Sequence, residues 1–244
     1  MHGRRRIGRR VGQSFQRGHR IAGLVGGALG PGQAGRQFTA LAETLMARLF
    51  ASVRATFAAK HGNVPGARLA ILGFGKMASR EMTVASDLDF IMLYAVDGQA
   101  EESDGERPLA LNQYFTRLTQ RLVAALSAPT PEGVLYEADM RLRPSGNAGP
   151  LATSLPGFID YHNQQAWTWE HLALTRARVV VADAGLDATV TAAIQEILSR
   201  PRDAAKTIAD VLDMRARITR ERPPRHPFDL KLAPGGLLDL EFIA

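Results

Sequence analysis

Apolar side chains recur along the chain with two spacings, and the change from one to the other outlines its elements. Phe38, Leu41, Leu45, Leu49, Val53 and Phe57 lie three or four apart, which predicts one amphipathic helix over about 36–60, closed by Gly62 and Pro65-Gly66. RLAIL (68–72) is then a short buried strand and DLDFIMLY (87–94) a second. The acidic, Gly- and Pro-punctuated DGQAEESDGERP (97–108) reads as a surface loop. Leu111, Phe115, Leu118, Leu122 and Leu126 restore helical spacing over about 109–127, stopped near Pro129 and Pro131. The period next drops to two. In YEADMRLR (136–143), Tyr136, Ala138, Met140 and Leu142 share one face, and Glu137, Asp139, Arg141 and Arg143 the other. After the turn PSGNAGP, LATS is a further short strand, residues 156–178 are helical, and VVVAD is an apolar run. Two amphipathic helices over about 187–199 and 203–221 lead into APGGLLDLEFIA, where the chain stops inside an apolar segment, as an incomplete C-terminal helical region would.

Composition narrows the chemistry. No run approaches the ~20 apolar residues that a membrane helix needs. Cys is absent, which excludes disulfides, thiolate catalysis and zinc knuckles and suits the cytoplasm. A net charge of +6 ordinarily points to nucleic acid, but here it has a local source. Arg4, Arg5, Arg6, Arg9, Arg10, Arg17 and Arg20 precede the first acid, Glu43, and without them the chain carries a net charge of −1. Residues 1–22 are therefore expected to be a flexible basic arm, and no nucleic-acid partner is expected.

Candidate chemistry gathers in GFGKMASREMTVASDLDF (73–90). Gly73-Phe-Gly75-Lys-Met-Ala78 fits the dinucleotide fingerprint G-x-G-x-x-G/A, but too few residues separate the two strands to hold the crossover helix of a ~30-residue βαβ unit. The P-loop pattern fails twice, with Ala70 at its first glycine and Met77 after the lysine. A nucleotidyltransferase arrangement fits: a strand, a glycine loop opening a short helix, then a strand bearing D-x-D. Gly73 and Gly75 would let backbone N–H groups approach a triphosphate, and Lys76 would add a point charge. On a strand Asp87 and Asp89 project to one face, with Cα atoms ~6.5–7 Å apart, where carboxylates can share Mg²⁺. Leu88, Phe90 and Met92 then face the core. Asp139, with Arg141 and Arg143 on the same face, supplies a third acid and cations for charge developing on a leaving group.

The stretches GFGKMASREMTVASDLDF, LYEADMRLRPSGNAGPLATSL, AWTWEHLALTRARVV and GGLLDLEFIA, in that order, resemble the glutamine synthetase adenylyltransferase family. The resemblance implies an α+β, polymerase-β-like nucleotidyltransferase sheet with flanking helices and a truncated C-terminal helical region. It divides the chain into the arm (1–22), a helical segment (23–62), a catalytic core (63–183) and an incomplete helical region (184–244). It implies transfer of AMP from ATP to a tyrosyl hydroxyl of glutamine synthetase, with Mg²⁺ or Mn²⁺, under a PII-type nitrogen-signalling protein, in the cytoplasm. Carried over, Asp87 and Asp89 match metal ligands, Asp139 the third acidic position, where it would help bind metal or activate the incoming tyrosyl oxygen, and Gly73, Gly75, Lys76 and Ser86 the nucleotide loop. Arg141 and Arg143 match phosphate-contacting positions. The family usually carries two such units, one attaching AMP and one removing it, and DMRLRPSG followed by AWTWEHLALTRAR is more similar to the attaching one. Phosphorolytic removal of AMP and a non-catalytic binding remnant are the alternatives. Trp167 and Trp169 are expected to pack, His171 to be a satisfied polar residue, and Arg176 and Arg178 either to contact nucleotide or to form salt bridges. Ala78 and Gln165 stand where the family often has Gly and Glu.

Overall fold

The computed structural model describes residues 27, 30–131, 133–224, 226 and 228–243, so the basic arm lies outside the described residues. Helix α1 (Pro31–His61) opens with proline at its first turn, where a missing N–H costs nothing, and ends at Gly62, whose positive φ of 71° turns the chain while its N–H bonds Ala58 O at 2.8 Å. Strand β1 (Ala67–Gly73) follows, then a four-residue helix α2 (Gly75–Ala78) and strand β2 (Leu88–Val96), antiparallel to β1. Helix α3 (Leu111–Leu126) returns across α1, and a small hairpin, β3 (Pro129–Thr130) with β4 (Gly133–Val134), leads back to the sheet.

The alternating segment at 136–143 is mostly not a strand. Only β5 (Ala138–Asp139) pairs with β2, in parallel, with Leu88 opposite Ala138 and Asp89 opposite Asp139. Tyr136 and Met140 are buried as the alternation requires, but Arg143 is buried too, at 8% exposure, against the expected outward face. The chain leaves the sheet after Asp139, whose carboxylate takes the Arg141 N–H at 2.9 Å while the Arg143 N–H closes a turn on Met140 O at 3.2 Å; Pro144 and the positive φ of Ser145 and Gly146 then carry it further from the ladder. Arg143 then folds inward to hold the resulting loop, donating from its guanidinium to Met140 O at 2.8 Å and Gly149 O at 3.3 Å. Past the 3₁₀ turn Gly146–Ala148, strand β6 (Ala152–Ser154) rejoins the same strand β2 further along, opposite Met92 to Tyr94. Residues 140–151 thus bulge from between two short strands.

The expected helix over 156–178 is two helices and the start of a strand. Helix α4 (Leu155–Gln164) is capped by the Ser154 hydroxyl, and α5 (Thr168–Leu174) begins where the Glu170 carboxylate takes the Trp167 N–H at 2.8 Å. Strand β7 (Arg178–Ala182) pairs antiparallel with β1, giving the order β5-β2-β1-β7 with β6 also beside β2. Helices α6 (Leu186–Ser199), α7 (Ala204–Glu221) and α8 (Leu237–Ile243) complete the described elements.

Period-two alternation feeds two cores. Leu69, Ile71, Leu88, Phe90, Met92 and Tyr94 pack against α1 and α3 on one face. Ala70, Leu72, Ile91 and Leu93 pack against Phe158, Val190 and Ile194 of α4 and α6 on the other. A strand covered on both faces carries a continuous apolar run, which is why FIMLY follows the second aspartate. Helices α7 and α8 bury no residue fully; the Arg215–Asp239 pair joins them to each other, while Arg176–Glu241 and the bond of the Thr168 hydroxyl to Asp210 tie them to the rest of the fold.

Candidate active site

At the start of β2, Asp89 has the parity of Ile91 and Leu93 and so points to the second face of the sheet, at the end of the strand before its apolar run begins. Asp87, on the same parity, precedes the strand and is exposed. Parallel pairing in register puts Asp139 directly beside Asp89. Asp89 and Asp139 therefore share a face, and the Asp87 charge lies near enough to act on Asp89.

Their protonation reports the crowding. Burial, then the Asp139 and Asp87 charges, push the Asp89 carboxyl above its ordinary value, against the pull of Arg141 and Lys231. Asp139 moves the other way. Its hydrogen bonds with the Arg141 side chain hold it below the usual range, and the Arg141 backbone N–H adds a bond of 2.9 Å. The Arg141 Nε lies 3.0 and 2.8 Å from the two Asp139 oxygens. No three histidine or acidic side chains among the described residues converge on one metal position, and Asp139 is turned to Arg141. The donor set nevertheless suits a hard divalent cation in kind, since its ligands are carboxylate oxygens and Asp89 carries charge that no hydrogen-bond donor among the described residues neutralises. A cleft of about 600 Å³ opens between α3 and the segment around β5, lined by Asp87, Gln120, Ala124, Asp139, Arg141 and Asn147 among others; Asp89 and the glycine loop are not part of its lining.

The glycine loop abuts this acid cluster. The Phe74 N–H bonds the Asp89 carbonyl at 2.9 Å, tying the entrance of α2 to the start of β2. Gly75 has φ of +51°, which strains any other residue, and a Cβ there would stand 2.8 Å from the Asp89 Oδ2 and push that carboxylate aside. Gly73 is a glycine for another reason. It is buried, and a Cβ would meet the Val180 side chain of β7 at 2.7 Å, so it serves packing under the loop. Lys76 is exposed at the mouth of α2. The Ser86 hydroxyl takes the Thr83 N–H at 2.9 Å and closes the turn before β2.

Arg178 is engaged in structure: its guanidinium reaches the Met77 and Ala78 carbonyls and pairs with Glu43 of α1. Arg176 pairs with Glu241. The His171 ring bonds the His162 carbonyl at 2.8 Å, as expected of a satisfied histidine. Trp167 lies 70% exposed and Trp169 40%, so neither is in the core. Asn147 and Lys231 were not legible as site residues. Asn147 arrives through the excursion of residues 140–151, and Lys231 from a segment more than a hundred residues distant in sequence.

A family model for glutamate-ammonia ligase adenylyltransferase matches residues 20–193. The chain belongs to this family. It is 53% identical over 221 residues to a bifunctional glutamine synthetase adenylyltransferase/adenylyl-removing enzyme from Mesorhizobium japonicum, covering 91% of this chain and 22% of that protein. The enzymes of the same name from Brucella suis and Rhizobium meliloti are 54% and 52% identical over the same shares. The chain therefore spans about a fifth of the length of these glutamate-ammonia ligase adenylyltransferase relatives. With the family in hand, the mixed sheet flanked by helices is a nucleotidyltransferase sheet of the polymerase-β-like kind. None of the helices among the described residues is long and apolar enough to cross a membrane.

Proposed function

We propose that this chain carries the AMP-attaching chemistry of its family: transfer of AMP from ATP to a tyrosyl hydroxyl of glutamine synthetase, with release of pyrophosphate. The observation that carries the reading is the in-register pairing of Asp89 with Asp139, with Asp87 on the same parity and Gly75 pressed against the Asp89 carboxylate. Asp87 and Asp89 would hold the divalent cation, Mg²⁺ or Mn²⁺, with Asp139 completing the set once Arg141 releases it. Such a cation, when bound, neutralises phosphate charge and eases ionisation of the attacking hydroxyl. The tyrosyl oxygen, its proton released to solvent, forms a bond to the α-phosphorus in line as the bond to the pyrophosphate oxygen breaks. Asp139, held acidic by Arg141, serves as a ligand better than as a base. Lys76, the first N–H groups of α2 and the released Arg141 hold phosphate oxygens. Arg143 acts from behind, shaping the loop that carries Arg141 and Asn147.

Incubation with α-labelled ATP, Mg²⁺ and glutamine synthetase tests this. Label should pass to glutamine synthetase and be lost with Asp87→Asn; label surviving that change contradicts the assignment. The order DMRLRPSG then AWTWEHLALTRAR favours attachment over removal, and ADP formed from adenylylated glutamine synthetase and orthophosphate would reverse the choice. Control by a PII-type protein and a place in the cytoplasm, where ATP and glutamine synthetase occur together, follow from the same reading.

A further inference from the structure

Strand β7 is out of step with β1. Ile71 pairs with Val181 but Leu72 pairs with Val179, so Val180 is an extra residue and the strand bulges there. A bulge of this kind re-aims the residues beyond it. Here it sets Arg178 opposite Gly73, at the root of the glycine loop, and drives the Val180 side chain under that same glycine. The Arg178 guanidinium then reaches across to the end of α2, donating to Ala78 O at 3.1 Å and Met77 O at 3.0 Å, while its other contact is the Glu43 carboxylate on α1. A four-residue helix has no stability of its own. Its last carbonyls lack intrahelical donors, and a cation at that end also suits the helix dipole.

We infer that Arg178, anchored by Glu43 and placed by the Val180 bulge, is a positioning residue that clamps α2 and so presents Gly75, Lys76 and the first amides of α2 to the triphosphate. The inference rests on the nucleotide-loop reading above and extends it to residues that touch no substrate. It also resolves the role of an arginine whose motif position alone is equally suited to nucleotide contact.

Two measurements on the 244-residue chain test it. In hydrogen exchange without nucleotide, the Ser79 and Glu81 amides, which bond Gly75 O and Lys76 O, should exchange about tenfold faster in Arg178→Lys, the loss expected for one or two hydrogen bonds, while the amides of β2 stay protected. Glu43→Gln, which leaves both carbonyl contacts in place, should give a smaller change in the same amides. In calorimetric titration with Mg²⁺-ATP, Arg178→Lys should weaken binding about tenfold, and its effect should shrink in a Lys76→Ala background because both act through α2. Unchanged Ser79 and Glu81 exchange overturns the clamp, as does an ATP affinity within twofold of wild type. Faster exchange throughout the sheet, or losses that multiply in full, would make Arg178 a general stabiliser and overturn it too. If wild type binds no Mg²⁺-ATP while the exchange result holds, the nucleotide reading fails and the clamp stands.

Discussion

Replacing Asp89 by asparagine should make the protein more stable and inactive at once. Asp89 and Asp139 are register neighbours on adjacent strands, ~4.8 Å apart at the backbone. Two carboxylates about 5 Å apart repel by roughly 3 kcal/mol at an effective dielectric of about 20. Pairing of Asp139 with Arg141 and contact with water reduce this to about 1 kcal/mol. The sign follows from the raised Asp89 value: the folded protein holds this proton at pH values where the unfolded chain has released it, so the penalty is full at neutral pH and fades as pH falls toward the ordinary 3.8. Asp89→Asn should therefore gain about 1 kcal/mol at neutral pH, or ~2–4 °C in Tm for a chain of this size. Urea unfolding at neutral pH and at about pH 4 reads it directly. A variant that is less stable at neutral pH, or that gains equally at both, refutes the claim that this carboxylate is held under charge strain. Such strain is what a cation site costs a ligand-free fold.

Acid should destabilise the protein through His162, which is buried among Phe158 and other rings with no hydrogen-bond partner among the described residues for either ring nitrogen and with its pKa lowered to about 4 by burial and by His171. The unfolded chain takes up this proton first, so stability is lost between the ordinary 6.5 and about 4, by up to ~3 kcal/mol; His162→Leu should flatten that part of the unfolding profile. Gly75→Ala should abolish nucleotide binding, because its Cβ strikes the Asp89 carboxylate, whereas Gly73→Ala should cost ~1–3 kcal/mol of stability through Val180 and weaken binding less. Calorimetry with Mg²⁺-ATP beside thermal unfolding separates the two glycines. Phe158→Ala, in the core on the second face of the sheet, should cost ~3–5 kcal/mol in denaturant unfolding.

Much of this site could be read before the fold was known because its signals are local. D-x-D at the head of an apolar run carries its own face assignment, and the short interval between the two strands excludes a crossover helix. The positions that misled depend on distant partners. Gly73 has the same neighbours in sequence whether it faces a phosphate or Val180, and only β7 decides between them. Alternation placed Arg143 outward, but the strand ends at Asp139 and a turn closes from Arg143 N–H to Met140 O, and the buried guanidinium then finds the Gly149 carbonyl six residues on. The single helix expected over 156–178 breaks at Trp167 because Glu170 caps a new start, a pattern hidden inside a continuous apolar period. Arg178 could be singled out by its motif, but its task depends on a bulge that appears only when β7 is laid against β1.

The central claim is that Asp87, Asp89 and Asp139 together gather a divalent cation beside the glycine loop. Crystals soaked with Mn²⁺ and a non-hydrolysable ATP analogue, measured at the manganese absorption edge, test it most directly. An anomalous peak bonded to carboxylate oxygens of Asp87 and Asp89 is expected, with Arg141 swung away from Asp139. A peak elsewhere, or nucleotide bound with the Asp139–Arg141 pair intact and no manganese at the two aspartates, would contradict it.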